Sequence, residues 1–124
     1  MDAANLDVLI VDDHEGMRAL LQRVLEKAGV TKLRAAASGA EALTLLSGRA
    51  ADLILADRSM PGMDGTGFIA AVRANPALGA PRIIMISGHD GAAEAARTAG
   101  ADAFLVKPVS PRDLLAAIER LFAV

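Results

Sequence analysis

Polar side chains suited to cation and phosphate chemistry stand directly after four short apolar runs of this sequence. The acidic pair Asp12 and Asp13 follows the first run, and Asp57, Ser87 and Lys107 follow three later ones. If these runs are parallel strands, their ends meet at one edge of a sheet, where neighbouring carboxylates repel unless a proton or a cation joins them. The set predicts a divalent-cation site beside a phosphoryl group, with Asp57 as the nucleophile.

The candidate ligands are carboxylate oxygens, which limits the cations that could bind. Hard oxygen ligands select Mg²⁺ or Ca²⁺ rather than zinc, and Mg²⁺ binds through one or two carboxylates plus phosphate oxygens. Lys107 would act as a point charge on a phosphate oxygen, and Ser87 would donate a hydrogen bond to another. An ionised Asp57 needs no general base, so the pattern favours Mg²⁺-assisted phosphoryl transfer.

The elements that must position these residues alternate as strand and helix along the whole chain. Five apolar runs predict strands at 6–11, 31–36, 53–56, 83–86 and 103–106. Strict alternation implies an α/β fold with a five-stranded parallel sheet and helices on both faces. Lys32 and Arg34 alternate with apolar residues, which is typical of an edge strand. An order of 2-1-3-4-5 fits, a flavodoxin-like doubly wound arrangement whose switch point lies between strands one and three.

Helix boundaries are indicated by caps and by apolar spacing. Ser38 and Glu41 match a capping box, and Ser110 before Pro111 predicts the start of the last helix. Gly29 is predicted to stop the first helix and Gly100 the fourth, while the second ends at about residue 48. The predicted core stripes of the first and last helices are Met17, Leu20, Leu21, Val24, Leu25 and Ala28, and Leu114, Leu115, Ile118, Leu121 and Phe122.

Composition excludes several classes of function. The 124 residues fit one domain, expected to span 1–124 with no output domain. Thirteen basic and fifteen acidic residues give a net charge of -2, which favours neither nucleic-acid nor membrane-surface binding. There is no cysteine for thiol chemistry. The N-terminus lacks a signal-peptide pattern, and no apolar run approaches membrane-spanning length, so a cytoplasmic protein is expected.

At these residues the chain resembles the receiver domains of bacterial two-component response regulators, and most of all the small chemotaxis type. The resemblance runs from about residue 6 to 122. It is carried by Asp12-Asp13, Asp57, Met60-Pro61-x-Met63-Asp64-Gly65, Ser87, Ala99-Gly100-Ala101 and Lys107-Pro108. It implies a phosphoacceptor switch, not an enzyme, in which Asp57 takes phosphate from a sensor histidine kinase or phosphotransfer protein and controls a downstream target protein.

The resemblance also implies the Mg²⁺ ligands. Asp13 and Asp57 would bind the ion together with the backbone carbonyl of Ser59, and Asp12 would act mainly through a water. No further cofactor is implied.

A switching pair and an output surface are implied in the same way. Phosphate would draw the Ser87 hydroxyl inward, and the Phe104 ring would move into the vacated space. The bond before Pro108 is expected to be cis. The output surface would be helix four, strand five and helix five, on a monomer or a weak phosphorylation-dependent dimer.

The chain departs from the family pattern near helix four. Only 20 positions separate Ser87 from Lys107, fewer than is common in such domains, and Gly88 and Gly91 weaken helix initiation, so a short helix four is predicted. His14 and His89 are interpreted as ordinary loop or helix-start residues. Because His89 lies two residues beyond Ser87, an influence on water access and dephosphorylation is a further hypothesis.

Other functions remain as alternatives. The chain would be a phosphorelay intermediate that passes phosphate to another histidine, or the receiver part of a larger regulator. An aspartate-nucleophile phosphatase would carry a second acid two residues after Asp57, where this sequence has Ser59. A binding module without phosphorylation would not need the intact set of Asp57 and Lys107.

Overall fold

The computed structural model describes residues 3–88 and 90–122. Five strands alternate with five α-helices in this part of the chain. The strands are β1 (Asp7–Val11), β2 (Lys32–Ala36), β3 (Leu53–Asp57), β4 (Arg82–Ser87) and β5 (Ala103–Val106). The helices are α1 (Glu15–Lys27), α2 (Gly39–Gly48), α3 (Gly65–Ala74), α4 (Ala93–Ala99) and α5 (Pro111–Leu121).

The strands form one parallel sheet in the order β2-β1-β3-β4-β5, which confirms the predicted topology. Register pairs Val11 with Ala56 between β1 and β3, and Asp57 with Ile86 between β3 and β4. Ser87 is paired in turn with Val106 of β5. Because all pairs are parallel, the carboxyl ends of these strands lie at the same edge of the sheet.

Two apolar layers cover the faces of the sheet. Successive strand residues point to opposite faces, so Leu9 and Ile54 lie in one layer while Ile10 and Leu55 lie in the other. The first layer is completed by α2, α3 and α4, and the second by α1 and α5. The central strands β1, β3 and β4 are therefore buried on both sides, which explains their unbroken apolar runs.

Side-chain caps fix three of the helix starts. Ser38 Oγ accepts the backbone N–H of Glu41 at 3.1 Å, and Ser110 Oγ accepts that of Asp113 at 3.0 Å, as the sequence predicted. A third cap was missed, because the segment 60–65 reads as turn chemistry. There the Asp64 carboxylate accepts a backbone N–H at the start of α3, at 2.8 Å.

Two leucines of the predicted helix stripes do not lie in the core. Leu20 is 42% exposed, and Leu115 is only partly buried. Both line a surface groove of about 520 Å³ between α1 and α5. The stripe prediction was wrong for them because a packed helix buries only part of its apolar arc, here around Leu21 and Leu114.

Helix α4 is short, as the sequence predicted. Helix α4 has only 7 residues and follows a single 3₁₀ turn at Asp90–Ala92. It ends at Gly100, whose φ of 114° is in the left-handed region that glycine tolerates. Within the ranges 3–88 and 90–122, no helix is long and apolar enough to cross a membrane.

Arg73 of α3 makes hydrogen bonds at the end of the sheet opposite the predicted site. Arg73 donates to the carbonyl oxygens of Gly100 (3.0 Å) and Pro81 (2.7 Å) and to the carboxylate of Asp102 (2.9 Å). The same Asp102 oxygen accepts the backbone N–H of Ile83 at 2.8 Å. One guanidinium thus links α3, the loop before β4 and the turn before β5.

We expect Arg73→Ala to lower the free energy of unfolding by about 2 kcal/mol, since one partly buried and two exposed acceptors lose their donor. Urea unfolding followed by circular dichroism measures this change. Arg97→Ala is the matched control, because Arg97 is 73% exposed and its ion pair with Glu94 spans 3.5 Å. That control should stay within about 0.5 kcal/mol of the wild type. Equal losses in both variants would show that the Arg73 contacts do not stabilise the fold.

Candidate functional site

The strand ends bring charged side chains together at the carboxyl edge of the sheet. Asp12 follows β1, Asp57 is the last residue of β3, and Lys107 follows β5. The Lys107 ammonium lies 3.1 Å from Asp57 Oδ1. Asp12 and Asp57 are almost fully buried, at 1% and 2% exposure, although both carry carboxylates. Buried carboxylates without a close cation for each are costly, so this edge is built for chemistry and not only for stability.

Ser87 lies at the same edge as the last residue of β4. It is 2% exposed, and its carbonyl accepts the backbone N–H of Lys107 at 2.7 Å. That bond fixes the start of the Lys107 side chain beside the end of β4. The structure therefore places the predicted hydroxyl and the predicted ammonium on adjacent strands.

The Asp57 carboxylate has one partnered and one unpartnered oxygen. Oδ1 is paired with Lys107, whereas Oδ2 is buried without a hydrogen-bond partner in the described part of the chain. Burial, and next the charge of Asp12, raise the pKa of Asp57 above its usual value of 3.8, although Lys107 and the backbone N–H of Ser59 act in the opposite direction. The site thus carries more negative charge than its one ammonium balances.

Four side chains form a candidate cation pocket in front of this carboxylate. Single ligand atoms of Asp12, Asp13, His14 and Asp57 all lie within 4.8 Å of one another. Asp13 Oδ1, like Asp57 Oδ2, is buried and makes no hydrogen bond to the described residues. Two unbonded carboxylate oxygens at the mouth of an acidic cluster fit a hard cation such as Mg²⁺.

His14 is the pocket residue whose contribution the sequence interpretation missed. It does occupy the expected helix-start position, as the N-cap of α1, but its side chain makes no cap. Its ring turns instead towards the carboxylates, with Nδ1 3.2 Å from Asp12 Oδ1 and 3.1 Å from Asp13 Oδ1. Its place directly after an acidic pair at a strand end was the available signal. The other histidine, His89, lies outside the described residues.

A close backbone approach holds the loop after β3 under the site. The N–H of Gly65 donates to the carbonyl of Arg58 at 2.9 Å, and the N–H of Arg58 donates to the carbonyl of Ile86 at 2.9 Å. A Cβ at Gly65 would clash with the Asp57 carbonyl oxygen and would lie 2.8 Å from Arg58 Cα. Only glycine lets α3 begin this close to the end of β3.

Phe104 lies one layer away from the charged cluster. It is paired with Met85 across β4 and β5, is partly buried, and packs against the layer under α3 and α4. Its ring lines an open cavity of about 260 Å³ together with Ala96 and Arg97 of α4. The peptide bond between Lys107 and Pro108 is cis.

The raised pKa of Asp57 has a consequence for stability. The folded state holds the Asp57 proton more tightly than the unfolded state, so stability from this group is present at low pH and is lost as pH rises through the raised pKa. In the absence of divalent cations, we expect Asp57→Asn to melt at a higher temperature than the wild type at neutral pH. The difference should shrink below about pH 3, where the wild-type carboxyl is mostly protonated in both states.

Thermal melts followed by circular dichroism in EDTA test this expectation. Added Mg²⁺ should narrow the difference, because an ion that binds only the folded wild type stabilises it by mass action. A wild type that is at least as stable as Asp57→Asn at neutral pH in EDTA would contradict the electrostatic account.

Comparisons with known proteins agree with this fold. Residues 8–119 match the family described as the response regulator receiver domain. A probable chemotaxis protein CheY of Rhizobium etli is 34% identical over 97% of this chain and 95% of its own length. Chemotaxis protein CheY4 of Vibrio cholerae has a TM-score of 0.87 at 32% identity, covering 94% of this chain and 98% of its own.

A third relative was solved as a complex. The CheX–CheY–BeF₃–Mg²⁺ complex of Borrelia burgdorferi has a TM-score of 0.85 at 27% identity, covering 96% of this chain and 90% of that chain. The matches in sequence and in structure extend over nearly the whole chain and over every strand end described above. The chain belongs to the response regulator receiver domain family, in its CheY-like form.

Proposed function

We propose that this protein is a stand-alone receiver in which Asp57 accepts a phosphoryl group from a phosphohistidine of a sensor kinase or phosphotransfer protein. The observation that carries the proposal is the Asp57 carboxylate itself. It is buried at 2% exposure, has Lys107 at 3.1 Å on one oxygen, and has an unbonded second oxygen facing the acidic pocket. A carboxylate of this kind serves as a covalent nucleophile for phosphate.

The transfer uses the residues at the strand ends. One oxygen of the Asp57 carboxylate attacks phosphorus, the bond from phosphorus to the donor nitrogen breaks, and the donor histidine keeps that electron pair. The Lys107 ammonium stabilises the negative charge of the transferring group. The Ser87 hydroxyl donates a hydrogen bond to a phosphoryl oxygen. No residue has to remove a proton, because Asp57 reacts as the ionised form.

The pocket of Asp12, Asp13 and Asp57 supports a bound Mg²⁺. Asp13, Asp57 and the Ser59 carbonyl would hold the ion, and Asp12 would hold it through a water. When bound, Mg²⁺ neutralises charge on the transferring phosphoryl group. The buried oxygens Asp13 Oδ1 and Asp57 Oδ2, which make no hydrogen bond to the described residues, support this assignment.

The output of the switch would be protein contact through α4, β5 and α5. The Ser87 hydroxyl would move towards the phosphoryl group, and the Phe104 ring would follow into the space left behind. The cavity that Phe104 lines beside α4 supports this movement, since the ring is not enclosed on that side. The Borrelia complex, in which a CheY is bound to CheX, supports a protein as the kind of partner.

A slow switch fits the site better than a turnover enzyme. Ser59 is exposed and stands where an aspartate-nucleophile phosphatase would carry its acid, and a serine hydroxyl is a poor proton donor to a leaving alcohol. The coverage of the Rhizobium etli CheY over 95% of its length supports a single domain that acts alone. Dimer formation, if it follows phosphorylation, would be weak.

Phosphorylation by a small donor tests the proposal without a partner. The protein is incubated with acetyl phosphate and Mg²⁺, and its intact mass is measured. We expect the mass to increase by one phosphoryl group, with no increase in EDTA or in Asp57→Asn. A protein that stays unmodified while folded and loaded with Mg²⁺ would contradict the proposed function.

A further inference from the structure

The His14 ring is held over the cation pocket by its own backbone. Its N–H donates to Asp12 Oδ1 at 2.8 Å, so the residue is fixed at the pocket mouth. From there the ring nitrogen Nδ1 lies 3.1 Å from Asp13 Oδ1 and 4.0 Å from Asp57 Oδ2. The side chain is 65% exposed, so the ring lies on the solvent side of the pocket.

Three carboxylate oxygens face this nitrogen, Asp12 Oδ1 among them at 3.2 Å, and two of the three are left without hydrogen bonds. Asp13 Oδ1 and Asp57 Oδ2 are both buried and unbonded among the described residues, whereas Asp12 Oδ1 already accepts the His14 N–H. Asp57 is 98% buried, so its free oxygen cannot be satisfied by bulk water. One nitrogen and two unbonded oxygens therefore converge on the same space.

The two separations measured from His14 Nδ1 match those of ligands around one octahedral ion. With ligands about 2.1 Å from a cation, neighbouring ligand atoms lie about 3.0 Å apart and opposite ones about 4.2 Å apart. The 3.1 Å between His14 Nδ1 and Asp13 Oδ1 fits neighbours, and the 4.0 Å to Asp57 Oδ2 fits opposite ligands.

We propose that His14 Nδ1 is a direct ligand of the pocket and shifts its preference from Mg²⁺ towards transition-metal ions such as Co²⁺. Imidazole suits the later first-row metals, whereas Mg²⁺ prefers oxygen and keeps its waters. Removing the ring should therefore weaken Co²⁺ binding and leave Mg²⁺ binding nearly unchanged. The inference rests on the cation pocket of the proposed function and adds a nitrogen ligand to it.

Calorimetric titration of the metal-free protein with CoCl₂ and with MgCl₂ tests the inference. We expect His14→Gln to lower Co²⁺ affinity about tenfold or more and to change Mg²⁺ affinity less than about threefold. Arg97→Gln is the control, because Arg97 is 73% exposed on α4, outside the acidic cluster, and it should change neither affinity. Unchanged Co²⁺ affinity in His14→Gln, or equal losses for both ions, would overturn the inference.

A spectroscopic measurement distinguishes direct ligation by His14 from an indirect effect of the substitution on the pocket. In proton NMR of the Co²⁺-loaded wild type, a strongly shifted exchangeable imidazole N–H signal is expected, and it should vanish in His14→Gln. Its persistence in that variant would overturn the inference. A failure of the proposed function can be distinguished from a failure of this inference. A wild type that binds neither Mg²⁺ nor Co²⁺ would contradict the proposed cation pocket itself. A wild type that binds Mg²⁺, together with a Co²⁺ affinity that is unchanged in His14→Gln, would contradict only the proposed nitrogen ligand.

Discussion

Lys107→Met is expected to slow phosphorylation by acetyl phosphate about 100-fold, the size of effect seen when one preorganised electrostatic group is removed from a reacting centre. The Lys107 ammonium is 3.1 Å from Asp57 Oδ1 and only 25% exposed, so water screens it little. No second lysine or arginine side chain among the described residues forms an ion pair with Asp57. The developing phosphoryl charge would thus lose its one fixed protein cation.

The rate is measured from intact mass at short incubation times with saturating Mg²⁺. Lys32→Met is the matched control, because Lys32 begins β2 and so lies at the opposite end of the sheet, exposed to solvent. It makes the same change in charge and should react at the wild-type rate. A Lys107→Met protein that reacts as fast as this control would show that the ammonium does not act in the transfer step.

Gly65→Ala is expected to lower the free energy of unfolding by about 3 kcal/mol, at the upper end of overpacking effects. The new methyl group would clash with the Asp57 carbonyl oxygen and approach Arg58 Cα to 2.8 Å. Both obstacles are backbone, which cannot rotate away as a side chain would. The loop would have to shift, and the Asp57 carboxylate with it, so phosphorylation should also slow.

Gly16→Ala provides the control for the glycine substitution. Gly16 lies in the first turn of α1, and no atom comes within 4 Å of a Cβ built there. Alanine is the better helix former by about 0.8 kcal/mol, so this variant should be as stable as the wild type or more stable. Chemical unfolding of both variants checks the pair. If Gly65→Ala is as stable as Gly16→Ala, the backbone of Asp57 and Arg58 does not exclude a side chain at position 65.

The sheet was predictable because its signals are local and repeated. Apolar runs long enough to be strands, and helical patterns between them, leave few topologies open. The polar residues Lys32 and Arg34 indicated the edge position of β2, and the order followed. Parallel strands then place all carboxyl ends at one edge, so the approach of Asp57 to Lys107 could be predicted without knowing any distance.

The details that escaped prediction depend on contacts between distant parts of the chain. Nothing near Arg73 in sequence shows that its guanidinium reaches Asp102, 29 residues away. Leu20 has the spacing of a core residue, and only the packing of α1 against α5 leaves it exposed. The direction of the His14 ring is a rotamer choice, which sequence spacing does not encode.

The central claim is that phosphate is held covalently on Asp57, and chemical trapping at that residue tests it most directly. After reaction with acetyl phosphate and Mg²⁺, borohydride reduces an aspartyl phosphate to homoserine, and peptide mass spectrometry locates the change. We predict homoserine at position 57 in the wild type, and none in EDTA or in the unphosphorylated protein. Trapping at Asp12 or Asp13 instead, or no trapping at any aspartate while the protein remains folded, would contradict the account.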